Sequence, residues 1–312
     1  MYTTKDLAVI IPTKDRPKQV KRHLESLAGQ NCELERVIVV ASGQDIKDIV
    51  LGFKEKLPVE YYRSESGQIR QRNLGISKLN DLTKLVATMD DDITYKKNAI
   101  NNMIDFWNKL NNEVAGIGFN IVNLEKHRYS PLKHLFGMSA KNPGRVLKSG
   151  VNTWITNVNQ NIKTQWLNGG ATVWRKDILL KYKNEPLRSK WAIYEDVIYS
   201  YNIGKQHRLY VCSAAQVEVD DSVSYQTKVK FGYFSSNSIV LWRYLFILKN
   251  EELSKTNFFL VMMIHVVSNF IKSIFLFKKI YFYKFMGLVN GLIKVLFVRN
   301  SIGKLIKVIE KV

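Results

Sequence analysis

The sequence predicts an α/β fold: a mostly parallel sheet flanked by helices, followed by a helical, amphipathic C-terminal region. Three observations carry that prediction. Short apolar runs alternate with segments whose apolar residues recur at helical spacing over the first two-thirds of the chain. One of those runs, Leu-Val-Ala-Thr-Met at 85–89, ends in Asp90-Asp91-Asp92. From about residue 229 the strand-like runs stop, and long apolar stretches studded with lysine take over.

Taken in order, Leu-Ala-Val-Ile-Ile at 7–11 is a first buried strand, because it is apolar without alternation. Pro12-Thr13-Lys14-Asp15-Arg16-Pro17 breaks it, and Val20, Leu24 and Leu27 then mark a helix. Residues 36–40 make a second strand closed by Ala41-Ser42-Gly43, and residues 59–62 a third. Residues 68–79 are helical, with Ile69, Asn73, Ile76 and Leu79 on one face. After the 85–89 strand, residues 96–110 give a helix with Ile100, Met103, Ile104, Trp107 and Leu110 turned inward, and 115–122 another strand. Such alternation argues for parallel strands joined by right-handed crossovers.

Composition narrows the function classes. With 46% hydrophobic and 24% charged residues the 312-residue chain is globular, large enough for one big domain or two smaller ones. Two cysteines, Cys32 and Cys212, exclude a disulfide framework and fit a reducing compartment. The N-terminus lacks the basic-then-apolar pattern of a secretion signal. The net charge is +20, of which +11 falls in the last 87 residues. Because that tail is also rich in Phe, Leu, Ile and Val, it suits an anionic membrane surface better than nucleic acid.

The three acids sit where open α/β sheets bind ligands, at the carboxyl end of a strand. Adjacent carboxylates repel, and a hard divalent cation sharing its shell with diphosphate oxygens would relieve them. A solvated acidic turn with Asp92 capping the next helix is the plainer alternative. There is no Walker sequence and no Gly-x-Gly-x-x-Gly after the first strand, which disfavours kinases and dinucleotide-dependent oxidoreductases. Gly67-Gln-Ile-Arg70-Gln-Arg72-Asn73 instead puts two arginines and an asparagine at a helix start, where phosphate is well received. The long stretch 124–165 loses periodicity, mixes basic residues with Gly and Pro, and reads as a functional or mobile segment such as a lid. Its His127 and His134 have no metal-ligand spacing and are expected at the surface. Trp166-Leu-Asn-Gly169-Gly170-Ala-Thr-Val-Trp174 allows close backbone approach at its paired glycines. Tyr194-Glu195-Asp196-Val197 opens a helix that Gly204 ends. In the tail, 258–277 is nearly continuously apolar, while Ile302, Leu305, Ile306 and Ile309 form one helical stripe and Asn300, Lys304, Lys307 and Lys311 another, an amphipathic basic helix fit for a membrane interface.

Six segments together resemble the family 2 glycosyltransferases, which share the GT-A fold, over roughly residues 5–220. They are Val-Ile-Ile-Pro-Thr-Lys-Asp-Arg-Pro at 9–17, Val-Ile-Val-Val at 37–40, Gly-Gln-Ile-Arg-Gln-Arg-Asn-Leu-Gly at 67–75, Met-Asp-Asp-Asp at 89–92, Trp-Leu-Asn-Gly-Gly-Ala at 166–171 and Tyr-Glu-Asp-Val at 194–197. The resemblance implies a GT-A-type, Rossmann-like catalytic domain over 1–228 and a membrane-associating region over 229–312. It implies an inverting glycosyltransferase that uses Mn²⁺ or Mg²⁺ and a nucleotide-diphosphate sugar donor. The acceptor would be a glycan or a lipid-linked one, in cell-surface polysaccharide assembly at the cytoplasmic membrane face. Pro12, Thr13, Asp15, Arg16, Ser42, Arg72, Asn73, Asp90, Asp91, Gly169 and Gly170 would border the donor, Asp90 and Asp92 would hold the metal, and Asp196 would be the base with Glu195 beside it. Two departures stand out: no acid directly follows the second strand, where Ser42 or Asp45 must serve, and no His follows the last strand, where the sequence offers Asp220 and Asp221. A sugar-phosphate nucleotidyltransferase, which carries a Gly-rich loop after the first strand, and a non-catalytic basic membrane- or nucleic-acid-binding protein are the alternatives. The sequence predicts no nucleic-acid partner and leaves homo-oligomerisation open.

Overall fold

The computed structural model describes residues 1–111, 113–184, 193–220 and 229–311. The chain divides into two compact units. The first comprises Met1–His127, Trp154–Pro186 and Tyr199–Asp220; the second comprises Arg128–Thr153, Leu187–Ile198 and Asp221–Val312.

In the first unit, β1 (Leu7–Lys14), β2 (Arg36–Ser42), β3 (Val59–Arg63) and β4 (Leu85–Met89) pair in parallel, in the order β3-β2-β1-β4. Helices α1 (Pro17–Ala28), α2 (Lys47–Leu51) and α3 (Gln68–Ser77) make the crossovers. β1 is an unbroken apolar run because both its faces are covered: Leu7 to Ile11 are all fully buried. Each such aliphatic side chain contributes about 1.5–3 kcal/mol by leaving water. α1 starts with Pro17 at its first turn, where the missing N–H costs nothing, and buries Val20, His23, Leu24 and Leu27.

Beyond β4 the sheet changes direction. A short β5 (Ile93–Tyr95), unforeseen from the sequence, precedes the expected 96–110 helix, whose first three residues form a turn, so α4 runs Ala99–Asn108. β6 (Val114–Ile121) follows, and in the second unit α5 (Pro131–Leu135) is a single turn within the aperiodic stretch. Back in the first unit come β7 (Ile162–Thr164), β8 (Ala171–Arg175) and α6 (Lys176–Lys181). α7 (Glu195–Gly204) and β9 (Arg208–Val219) complete the order. β8 inserts antiparallel between β4 and β6, while β9 lies parallel to β6 and carries β5 and β7 antiparallel.

The buried face of α3 is not the expected one. Ile69, Gln71, Arg72 and Gly75 face inward, while Asn73, Ile76 and Leu79 are only half-buried. Gly75 decides this: a Cβ there would lie 2.5 Å from Ile10 Cγ2, so the helix sits closer to β1 than any side-chain-bearing residue allows. Gln71 follows it inward and caps the carbonyls of Thr13 and Val40, both at 2.7 Å. Gly75→Ala is expected to destabilise by about 1–2 kcal/mol, overpacking against a branched, fully buried Ile10 outweighing the gain in helix propensity. A lowered urea midpoint with unchanged slope checks this.

The second unit contains α8 (Val229–Leu248), α9 (Lys255–Phe275), α10 (Lys279–Phe297) and α11 (Ile302–Ile309). α10 lies along α8 at close range: Gly287 and Gly291 face Tyr233, Ser236, Asn237 and Val240, where added Cβ atoms would meet backbone or branched carbons. On α11, Leu305 and Ile309 are fully buried, and that helix rests on α8. The apolar stripe expected to enter a membrane is therefore spent on intramolecular packing, and Ile302 alone of it is exposed. Cys32 and Cys212 are free thiols, and His134 is exposed with Nδ1 donating to the Ser139 carbonyl.

Candidate active site

Strands β1, β2 and β4 are parallel, so Thr13, Ser42 and Asp90 emerge at one edge of the sheet. The chain moves outward from β1 to β2 and β3, then returns to lay β4 on the other side of β1. The strand order thus reverses between β1 and β4, and ligands of open α/β sheets bind in the crevice at such a point.

The three aspartates divide the work there. Asp91 is 5% exposed and turned inward, accepting from Thr13 Oγ1 at 2.6 Å and Arg16 Nη1 at 2.9 Å. Arg16 reaches Asp92 as well, at 3.0 Å. Asp90 accepts from Arg72 Nη2 at 2.8 Å and Gln68 Nε2 at 2.6 Å. Three carboxylates thus face two guanidinium groups. Burial, then the neighbouring charges of Asp90 and Asp91, push Asp92 up to about 6 against the opposing pull of Arg16. Burial pushes Asp91 up too, although Thr13 and Arg16 resist.

These shifts fix a sign. A carboxyl whose folded value exceeds its ordinary ~3.9 contributes stability that is complete below that value and lost as pH rises through the folded value. Asp92→Asn is therefore expected to be more stable than the wild type by about 1–2 kcal/mol at pH 7.5 without divalent cations, the gap closing towards pH 4.5. Thermal melts of both proteins across that range check it.

The floor under Asp90 comes from the segment before β8. The Asp90 amide donates to the Gly170 carbonyl at 2.8 Å, and Thr88 Oγ1 donates to the Gly169 carbonyl at 2.9 Å. A Cβ on Gly170 would sit 2.0 Å from Asp90 Oδ2, so the glycine lets the carboxylate lie directly against the backbone. On the other side, Asp15 Oδ1 accepts from the Gln44 amide at 2.7 Å. Gly43, at φ +70°, leaves room for that carboxylate. Arg63, at the end of β3, donates to the carbonyls of Gly43 at 2.5 Å and Gln44 at 2.9 Å and so pins the loop after β2.

The structure thus gathers Thr13, Arg16, Arg72, Asp90, Asp91, Asp92, Gly169 and Gly170, with Asp15 on the neighbouring loop. Pro12 and Ser42 are buried within the strand ends, and Ser42 Oγ lies 3.5 Å from the Thr13 carbonyl. Asn73 is turned to the Asn184 carbonyl at 2.9 Å. Asp45 accepts from the Tyr61 hydroxyl at 2.6 Å. Asp220 pairs with Arg22 at 3.0 Å, and Asp221 lies outside the described residues. Gln68 and Gln71 lay inside a quoted motif without an assigned role, and Arg63 left no pattern to read.

In the second unit, Glu195 and Asp196 open α7. Tyr194 precedes them at φ +75°, its hydroxyl donating to the Gly150 carbonyl and its ring lying under the Arg243 guanidinium at 5.2 Å. Glu195 is 6% exposed, whereas Asp196 is half-buried and accepts from the Val197 amide at 2.8 Å. Asp196 is therefore the more solvent-accessible acid of the pair.

Comparison with known proteins agrees with this arrangement. A solved structure of Staphylococcus aureus TarS, residues 1–349, is 16% identical, covers 98% of this chain and 90% of its own, and superposes with a TM-score of 0.54. The mannosyltransferase PcManGT from Pyrobaculum calidifontis, solved with GDP-Man and Mn²⁺, is 12% identical, with 95% and 89% coverage and a TM-score of 0.58. At these identities the likeness establishes a shared fold, the GT-A type. No curated protein matches the chain. The family model for glycosyl transferase family 2 matches residues 8–180, a span that holds the parallel half of the sheet, all three aspartates, both guanidinium partners and the paired glycines. On that match the chain belongs to glycosyl transferase family 2, and the enzyme is a glycosyltransferase.

Proposed function

We propose that the enzyme is a metal-dependent, inverting transferase that moves a sugar from a nucleotide-diphosphate donor to a hydroxyl of a glycan or lipid-linked acceptor. The carrying observation is the Asp90-Asp91-Asp92 turn at the switch point, where positive charge is in deficit. A hard divalent cation, Mn²⁺ or Mg²⁺, fits the oxygen donors of Asp92 and Asp90, and it would offset the burial and the neighbouring carboxylates that hold Asp92 up. Among the described residues no three His, Cys, Asp or Glu side chains are grouped to enclose an ion. Diphosphate oxygens and water would complete the shell, as is usual for such ions at phosphate sites. PcManGT, with its GDP-Man and Mn²⁺, is a precedent within the fold. Bound there, the cation would neutralise the leaving diphosphate.

The chain's own residues do the rest. Asp91, held by Thr13 and Arg16, fixes the turn. Arg72 and Gln68 orient Asp90. Gly170 lets Asp90 lie against the backbone, and with Gly169 it forms the floor that the donor sugar would border. Asp196, the more accessible of the α7 acids, takes the proton from the acceptor hydroxyl. One base and one displacement invert the anomeric centre. The apolar, basic C-terminal region supports a place at the cytoplasmic face of the cell membrane, where a lipid-linked acceptor is held.

Titration calorimetry with UDP and GDP tests the reading. Micromolar binding with Mn²⁺, weakened at least tenfold by chelation, is expected. Failure of every common nucleoside diphosphate to bind, with or without cation, overturns it. The anomeric proton coupling of the product decides inversion.

A further inference from the structure

We propose that the α9–α10 hairpin lies in the plane of one anionic leaflet, as a monotopic anchor that does not cross the bilayer. The proposal rests on the membrane reading above and specifies its element, partner and depth. Both helices are long and apolar enough to span, with only 17% and 22% of their apolar windows buried. Their exposed side chains, however, are one-sided. On α9 these are Leu260, Met263, Val267, Phe270, Ile271 and Ile274, each 46–51% exposed. At 100° per residue they fall within an arc of roughly 100°. His265, Ser268, Asn269 and Lys272 occupy the other side. On α10, Phe282, Met286, Ile293 and Phe297 are likewise exposed along one stripe, opposite Gly287, Leu288, Gly291 and Val295, which are buried.

A helix surrounded by hydrocarbon needs an apolar surface all round, whereas a stripe needs only a surface to lie on. Phe270 and Phe285, with ring centroids 5.3 Å apart, join the two helices near the hairpin turn. At that turn Phe275, Leu276 and Phe277 are exposed, Phe277 by 90%, and three lysines, Lys272, Lys278 and Lys279, flank them. Crossing would have to move those ammonium groups to the far interface past the bilayer centre, where each costs several kcal/mol. Lying flat leaves them at the phosphate level, where each lysine adds affinity for anionic lipid.

Charge selects the partner. Residues 255–298 contain six lysines and no Asp or Glu. A second copy of this face would bring like charges together, and an anionic headgroup layer complements them.

The test uses the full chain with vesicles of phosphatidylcholine alone or doped with phosphatidylglycerol. Co-sedimentation should rise roughly 10–100-fold with the anionic lipid. Lys272→Gln/Lys278→Gln/Lys279→Gln should lose most of that gain. Phe275→Ser/Phe277→Ser should weaken binding to both vesicle types, with nucleotide binding and far-UV circular dichroism unchanged. Alkaline carbonate should extract the wild type from native membranes. Equal binding to both vesicle types overturns the lipid assignment, and retention after carbonate overturns the in-plane depth. Absence of vesicle binding with a concentration-dependent dimer in ultracentrifugation assigns the face to a second copy instead. Nucleotide binding measured alongside keeps each result separate from the catalytic reading, and the wild-type comparison needs no variant to fold.

Discussion

Asp92→Asn should lower kcat/KM by about 10³-fold, roughly 4 kcal/mol of transition-state stabilisation, while the protein folds normally. The amide oxygen can still accept from Arg16, which bridges Asp91 and Asp92 at 2.9 and 3.0 Å, so the turn should keep its shape. What is lost is negative charge at the point where a cation and a diphosphate would meet. The deficit should therefore appear as weakened Mn²⁺-dependent nucleotide binding as well as slower transfer. Combined with the expected gain in stability at neutral pH, the variant would show the exchange of stability for function common at charged sites. Activity within tenfold of the wild type would remove Asp92 from the metal site.

Asp196→Asn should behave differently. A general base contributes about 10²–10⁴-fold, so kcat should fall by that order while nucleotide affinity and donor KM hold. The Asn side chain can still accept from the Val197 amide, and the helix start is retained. Glu195→Gln is the control: Glu195 is buried, so its loss should register in stability before it registers in kcat. A variant at 196 with normal turnover would move the base elsewhere.

How far each feature could be read in the sequence follows from what it depends on. β1 and β4 were legible because strands covered on both faces are continuously apolar, and the three acids mark the end of β4 without ambiguity. The three-residue β5 was not, since Ile93-Thr94-Tyr95 has no length in which a period can show. The inward face of α3 was missed because it is built from Gln71, Arg72 and Gly75, whose burial is dictated by the approach to Ile10 and by strand-end carbonyls. Arg16 was among the expected donor residues, but its bridge to acids 75 and 76 residues away leaves no local trace. The α11 stripe was seen correctly as a stripe; which surface it would meet is tertiary information.

The order of strands also sets a timetable for synthesis. β1 to β4 are complete once residue 89 has left the ribosome, and they can zip together in parallel as they emerge. The free side of β4 then waits for β8, which is more than eighty residues further along. During that interval the nascent chain presents an unpaired, mostly apolar edge, the kind that invites mispairing with other chains. A chaperone holding the emerging N-terminal half, or slow decoding placed after residue 175 and not before it, would serve this chain well.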